Sequence, residues 1–233
     1  MPVDYVHSLF LTSEESRLMT KLYLEDALKK IVALEGQRIG DIGTPDLVNK
    51  GVVGQIIEKA IGLDLSSDLL DFEDGELKSN KFLKGKPAET LAITQVGHVL
   101  SEIEADVSWP NSKVLKKINS FIFLPVHKDN PDPNEWKVGR ATHFSKKLHS
   151  AQYRLLAEDY EAIASDIRQI LVKKGELHTL NGPNQFLQIR TKDSKDASGK
   201  YHPVKYKGAT LSDKNYAFYL RPKFLNSIIV NDY

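Results

Sequence analysis

The sequence predicts a mixed α/β fold with helices concentrated toward the N-terminus and strands toward the C-terminus. Three observations predict it. Apolar residues recur at helical spacing before residue 62. A short, unbroken apolar run lies at Phe121–Val126. Residues 148–173 carry a long helical pattern that is followed by strand-rich sequence.

The first helix is predicted over Ser13–Leu34. Leu18, Leu22, Leu24, Ala27, Leu28, Ile31 and Val32 fall near i, i+3, i+4 spacing. Ser13, followed by Glu14 and Glu15, marks its start, and Gly36 stops it. Gly40, Gly43 and Pro45 mark an irregular stretch. A second helix is predicted over Gly51–Ile61, with Val52, Ile56, Ile57 and Ala60 inward and Gly62 at its end. Two strands follow, near Gly75–Phe82 and Thr90–Val96, joined through Gly85 and Pro87.

A basic helix near Lys113–Ile118 leads into Phe121–Val126, which reads as a buried central strand ended by Pro125. Residues 128–134 read as a solvated loop and Trp136–Phe144 as another strand. The long helix spans Leu148–Lys173. Leu155, Leu156, Tyr160, Ile163, Ile167, Ile170 and Leu171 form its inner stripe, and Gly175 caps it. Strands dominate the last third, with the polar stretch Asp193–Gly208 expected to be a mobile loop.

Composition excludes several function classes. The 233 residues are 41% hydrophobic and 27% charged, which is ordinary for a globular protein and unlike a disordered or collagen-like chain. Cysteine is absent, so thiolate zinc sites, iron–sulfur clusters and cysteine nucleophiles are excluded. The seven histidines form no H-x-x-x-H pattern, and no P-loop, GxGxxG or G-x-S-x-G occurs. Met1, Pro2, Asp4 and His7 do not make a secretory leader, and no apolar run is long enough to span a bilayer. The expectation is a soluble, cytoplasmic protein.

The net charge of +1 conceals a segregation. Between residues 64 and 78, six acids stand against Lys78 alone. Between 185 and 224, nine basic residues stand against three acids. An acidic cluster suits a divalent cation, and a basic segment suits polyphosphate.

The informative segment is Asp71-Phe72-Glu73-Asp74-Gly75-Glu76-Leu77-Lys78. On a strand, period two puts Glu76 and Lys78 on one face and Leu77 in the core. Asp71, in the preceding turn, reaches the same spot. Two carboxylates hold Mg²⁺ through oxygen, and the cation acidifies a bound water and neutralises charge on a phosphate. A neighbouring lysine orients that water or stabilises the transition state. This is the D…E-x-K pattern of metal-dependent phosphodiesterases. In a chain this charged, the pattern also arises by chance on a solvated hairpin edge. Glu58, on the preceding helix, offers a further carboxylate or is a solvent-facing helix residue.

Larger blocks extend the pattern. Lys50-Gly51-Val52-Val53-Gly54-Gln55-Ile56-Ile57-Glu58, closing at Ile61-Gly62, is followed by Asp71-Phe72, Glu76-Leu77-Lys78, Glu89-Thr90 and Lys117. Asp159-Tyr160-Glu161, Phe186–Lys192 and Phe218–Phe224 come after. In order and spacing these blocks resemble the MutH mismatch-repair endonuclease family and the restriction endonucleases that cut GATC. The resemblance runs from about residue 50 to 225.

It implies a restriction-endonuclease-like fold: a mixed sheet flanked by helices, in two lobes around a DNA cleft. A catalytic lobe would span approximately residues 1–145, and a DNA-reading lobe residues 146–233. It implies a Mg²⁺ cofactor and double-stranded DNA as partner. Asp71, Glu76 and Lys78 would form the catalytic centre, with Glu58 and Lys117 as accessory members and Asp71, Glu76 and Glu58 as metal ligands. Arg190, Lys192, Tyr219 and Arg221 would contact DNA, with Tyr219 near the adenine edge.

The activity so implied is that of a type II site-specific deoxyribonuclease at GATC or a related site, leaving 5′-phosphate and 3′-hydroxyl ends. The alternatives are a mismatch-repair nickase, stimulated by a mismatch-signalling ATPase, and a non-catalytic DNA-binding module. The Asp71–Glu76 spacing is shorter than in the mismatch-repair enzyme, which leaves Asp74 or Asp68 open as a substitute for Asp71. Lys117 has a solvated helix turn as its other reading, and Tyr219 has core packing.

Overall fold

The computed structural model describes residues 22–45, 51–63, 70–192 and 198–229. The start of the predicted first helix, Lys50, Asp64, Asp68 and the segment 193–197 lie outside these.

The N-terminal helices bury one stripe each. α1 (Leu24–Val32) turns Leu24, Ala27 and Ile31 inward. It carries acids in its first turn and lysines in its last, the polarity that the helix dipole favours. Continuous helix from Ser13 is not observed, because Tyr23 is extended (φ −76°, ψ 149°). The Leu24 N–H instead donates to Asp74 Oδ1 at 2.7 Å, so this helix is capped by a residue fifty positions away. A short α2 (Ile39–Ile42) and α3 (Val52–Ala60) follow, the latter burying Val53 and Ile57.

The first sheet is mixed. β1 (Glu76–Leu83) pairs in parallel with β4 (Ser120–His127), Glu76 opposite Phe121. β2 (Lys86–Pro87) pairs with β1 only at Phe82 and Leu83. β5 (Lys137–Val138) and β6 (Thr142–Ser145) both run antiparallel to β4. The predicted strand Trp136–Phe144 is therefore two strands. The break falls at Pro125, which has no N–H to offer a neighbour and lies between the β6 and β5 pairings. For the same reason Pro125 does not end β4, which continues to His127.

The second sheet is antiparallel, in the order β3 (Leu91–Gln95), β11 (Tyr216–Leu220), β8 (Leu187–Thr191), β7 (Leu180–Asn181). α4 (Leu100–Glu104), α5 (Lys113–Lys116), α6 (Ser150–Lys173) and α7 (Pro222–Ile228) pack around it. On α6, Leu156, Tyr160, Ile163 and Ile167 are buried, while Leu155, Ile170 and Leu171 are half-buried at the stripe's edge. The left-handed residue ending α6 is Lys174 (φ 51°, ψ 39°), not Gly175, whose N–H bonds back to Ile170 O at 2.9 Å. β9 (Val204–Tyr206) and β10 (Ala209–Ser212) make a hairpin where the polar sequence predicts a loop. Glu104 pins it, accepting from Tyr206 Oη and Lys207 Nζ at 2.8 Å each.

β4 divides the interior. Phe121 and Phe123 join a core built by α4–α7 and the second sheet, whereas Ile122, Leu124 and Val126 join a core built by α1–α3, Phe72 and Leu77. A continuous apolar run is what a strand buried on both faces requires. The result is the mixed α/β fold class predicted, a mixed sheet flanked by helices.

Candidate active site

The turn before β1 sets the site. Phe72 is anchored in the N-terminal core, and its N–H bonds to Gly75 O at 2.9 Å. Gly75 is dictated by space: a Cβ there would meet Leu24 Cδ1 at 2.4 Å and Ser120 O at 2.9 Å. This tight turn folds Asp71 back onto the strand, where its Oδ2 accepts the Leu77 N–H at 2.8 Å. Asp74 is committed elsewhere, to the α1 cap, and Asp68 lies outside the described residues.

β1 alternates as expected. Leu77 enters the N-terminal core, while Glu76 and Lys78 share the opposite face. Glu76 is only 4% exposed. Its Oε1 accepts from Lys78 Nζ in a close charged contact and from Lys117 Nζ at 3.3 Å. Its Oε2 is buried with no hydrogen-bond partner. Lys117 ends α5, immediately before β4, and the parallel pairing of β4 with β1 delivers it to this carboxylate.

Glu58 faces the same cluster from α3. Burial, followed by the negative charge of Asp71, holds its carboxyl above the usual range; Lys78 opposes this, and Glu76 adds to it. Glu58 is thus not a solvent-facing helix residue, and Lys117 does not lie on a solvated turn.

The donors fit a hard divalent cation. They are carboxylate oxygens, and Glu76 Oε2 is an orphan that a cation would satisfy. Among the described residues, no three His, Asp or Glu side chains are grouped closely enough to hold a metal ion between them. The lysines occupy part of the space around Glu76.

The residues implied for DNA contact fall into two groups. Arg190 and Tyr219 lie on adjacent strands, with the guanidinium 5.7 Å from the ring centre. Tyr219 is outside the core that takes Phe218 and Leu220. Burial raises its phenol above the ordinary value, and Arg190 opposes this. Lys192 is exposed at the end of β8, yet desolvation, and then the charge of Lys78, lower its ammonium below the ordinary value. Lys192 therefore lies within electrostatic range of Lys78 on β1.

Arg221 stands apart. It is tied by one guanidinium nitrogen to Asn181 Oδ1 at 3.2 Å and Gln185 Oε1 at 3.1 Å.

Sequence reasoning placed Asp159 in a motif block but gave it no role. It is fully buried on α6, and its carboxylate accepts the N–H groups of Asn184 (2.6 Å), Phe186 (2.7 Å) and Leu187 (2.8 Å). Gly182 gives it room, since a Cβ there would come within 2.1 Å of its Cγ. Asp159 therefore positions the turn that starts β8. The signal was an acid in the middle of an otherwise apolar helix stripe. Asn80 was missed, although period two carried one step past Lys78 reaches it.

No protein-family model matches the chain. A curated relative, the DNA mismatch repair protein MutH of Haemophilus ducreyi, is 26% identical over 204 residues, covering 84% of each chain. The resemblance carried by the motif blocks is borne out by this relative: the chain is MutH-like in sequence. A solved complex of the restriction endonuclease MvaI with cognate DNA substrate covers 88% of this chain and 94% of its own, at 12% identity and a TM-score of 0.43. Among the described residues, no helix is long and apolar enough to cross a membrane.

Proposed function

We propose that this protein is a Mg²⁺-dependent, sequence-specific DNA endonuclease that hydrolyses phosphodiester bonds at GATC or a related short site, acting as a type II restriction enzyme. The observation that carries the reading is Glu76, a buried carboxylate held by two lysines with one oxygen orphaned, beside Asp71 and Glu58. The likeness to MutH supports DNA as the substrate.

In this reading, residues 1–145 carry the chemistry and residues 146–233 read the DNA. Asp71 and Glu76 would hold the cation, with Glu58 beside them. When bound, the cation neutralises phosphate charge and acidifies water in its shell. Lys78 orients the attacking water and, as an ammonium, stabilises charge that develops on the phosphate. Lys117 holds the Glu76 carboxylate in place. Arg190 and Lys192 grip phosphates and base edges, and Tyr219 lies beside Arg190 at the reading surface. Arg221, already tied to two side chains, fixes the β7–β8 turn before it contacts DNA.

The second reading is a mismatch-repair nickase acting on unmethylated or hemimethylated GATC with a mismatch-signalling ATPase. The name of the curated relative favours it. Cleavage of a methylation-free plasmid with Mg²⁺, with the ends mapped by sequencing, separates the readings. Double-strand ends at one short sequence support the restriction enzyme. Slow nicking that such an ATPase accelerates supports the nickase. Tight binding without cleavage refutes both and leaves a DNA-binding module.

A further inference from the structure

A polar pocket adjoins the candidate metal site along β1. It has a volume of about 130 Å³, room for a handful of waters at about 30 Å³ each, or for one phosphate group. Ser79, Asn80 and Lys81 are consecutive in its wall, so it opens at the strand's edge rather than on one face. β2 pairs with that edge at Phe82 and Leu83, and the Ala88 N–H that follows it donates to Lys81 O at 2.9 Å, which leaves the backbone edge of Ser79 and Asn80 beyond the pairing. Gly54 of α3 lines the pocket, and a Cβ on it would stand 3.5 Å from Ser79 Oγ and 3.8 Å from Glu58 Oε1. The pocket is thus one helical turn from Glu58 and two strand residues, about 6.6 Å, from Lys78. That advance is about one backbone step of a nucleic-acid strand.

The chemistry of the pocket is incomplete. Asn80 is 6% exposed; its Nδ2 donates to Glu89 O at 3.2 Å, but its Oδ1 is buried with no partner. Two ammonium groups share the pocket. Lys128 rests on the Trp136 ring, 4.0 Å from its centre, and Lys81 meets the exposed Glu89 carboxylate only at 3.9 Å. Desolvation lowers the Lys128 ammonium, Glu89 opposes this, and Lys81 lowers it further. Two cations share the pocket with a single carboxylate, Glu89, which also lines it, so an anion between the ammonium groups supplies the missing negative charge. An anion that draws them inward also brings a donor to Asn80 Oδ1.

We propose that Lys81, Lys128 and Asn80 form a subsite for a phosphodiester of the cleaved strand that flanks the scissile one. This rests on the endonuclease reading. The subsite fixes the strand's register, so that the next phosphate falls at Lys78 and Glu76. Arg190 and Lys192 are on the other sheet, so the strand is held from both sides of the cleavage point.

The test uses duplexes centred on the site mapped from the plasmid, bound without divalent cation. Each carries one uncharged methylphosphonate at a different position. Wild type, Lys81→Gln and Lys128→Gln are compared, with thermal melting to establish that each is folded. Lys81 is half-buried and does not pack on Trp136, so its variant keeps the test available if Lys128→Gln disturbs the Trp136 shelf. The subsite predicts that one flanking methylphosphonate weakens wild type severalfold and leaves the lysine variants indifferent. It also predicts a salt dependence of log K shallower by about 0.9 for each phosphate that a variant no longer neutralises. If folded variants keep the wild-type slope and the wild-type methylphosphonate pattern, the subsite is refuted while the endonuclease reading stands. If wild type neither binds nor cleaves duplex DNA, the reading falls and takes the subsite with it.

Discussion

Asp71 and Asp74 lie three residues apart in one turn and carry different tasks. Asp71 is tucked against Leu77 N–H beside Glu58 and Glu76, whereas Asp74 caps α1. Asp71→Ala is expected to abolish cleavage, to below about a thousandth of wild type, in line with the 10²–10³ that single electrostatic contributors give and more for a metal ligand. Asp74→Ala is expected to lower stability by about 1 kcal/mol, the value of a lost N-cap, and to leave folded protein that still cleaves. Single-turnover cleavage alongside urea denaturation checks both, and the reverse pattern would transfer the proposed metal-ligand role to Asp74. Lys78 and Lys117 share one oxygen of Glu76 at different distances. Lys78→Ala should therefore lower the cleavage rate by about 10²–10³-fold with duplex affinity retained. An equal loss of affinity would make Lys78 a DNA-binding residue rather than a catalytic one.

Two segments around α6 show how elements are tied to the site. At its middle, Asp159 takes three buried N–H groups from the turn before β8. Asp159→Ala strands those donors and is expected to cost on the order of 3 kcal/mol or more. Asp159→Asn keeps the shape with fewer acceptors and should fall between. If the variants that stay folded bind DNA as wild type does, the turn has no part in placing Arg190 and Lys192. At the start of α6, His149 stacks on Phe144 with ring centres 5.1 Å apart, its Nδ1 buried. Desolvation lowers its ring below the ordinary histidine value, and a hydrogen bond to the Ser145 backbone opposes this. The unfolded chain then binds the proton more readily than the folded one. Stability from this residue is present above about pH 6.5 and is lost as pH falls through the lowered folded value. His149→Phe should flatten the stability profile between about pH 7 and 5, measured by denaturant midpoints; an unchanged slope would assign that acid sensitivity to other groups.

At the scale of the molecule, one strand serves two cores. Phe123 packs into the core built by α4–α7 and Ile122 into that built by α1–α3. Separating the cores means stripping β4 from one of them. Ile122→Ala and Phe123→Ala should therefore each lower a single shared transition, by about 2–5 and 3–5 kcal/mol respectively. Coincident denaturation curves from tryptophan fluorescence and circular dichroism check this; Phe123→Ala splitting them into two steps would show that the cores unfold separately. The same strand serves the site, because its parallel partner is β1 and its entry carries Lys117 to Glu76.

Local pattern determined much of this protein. Period two placed Leu77 in the core with Glu76 and Lys78 opposite, and helical spacing marked the buried stripe of α6 and the extent of α3, although on α3 it turned the exposed Ala60 inward and left out the buried Val53. The run at 121–126 marked a strand covered on both faces. These follow from spacing along the chain, which a sequence states directly. Tertiary structure alone decided which acid of the 71–74 turn faces Glu58, because a cap donor from residue 24 claims Asp74. It decided that Pro125 lies within a strand, since the gap between two partners falls there. It decided that Asp159 organises the start of β8 and that Lys128 comes to lie beside Lys81 and Asn80. Each depends on groups far apart in sequence meeting at a few ångströms. Packing fixes such meetings, and no local period encodes them.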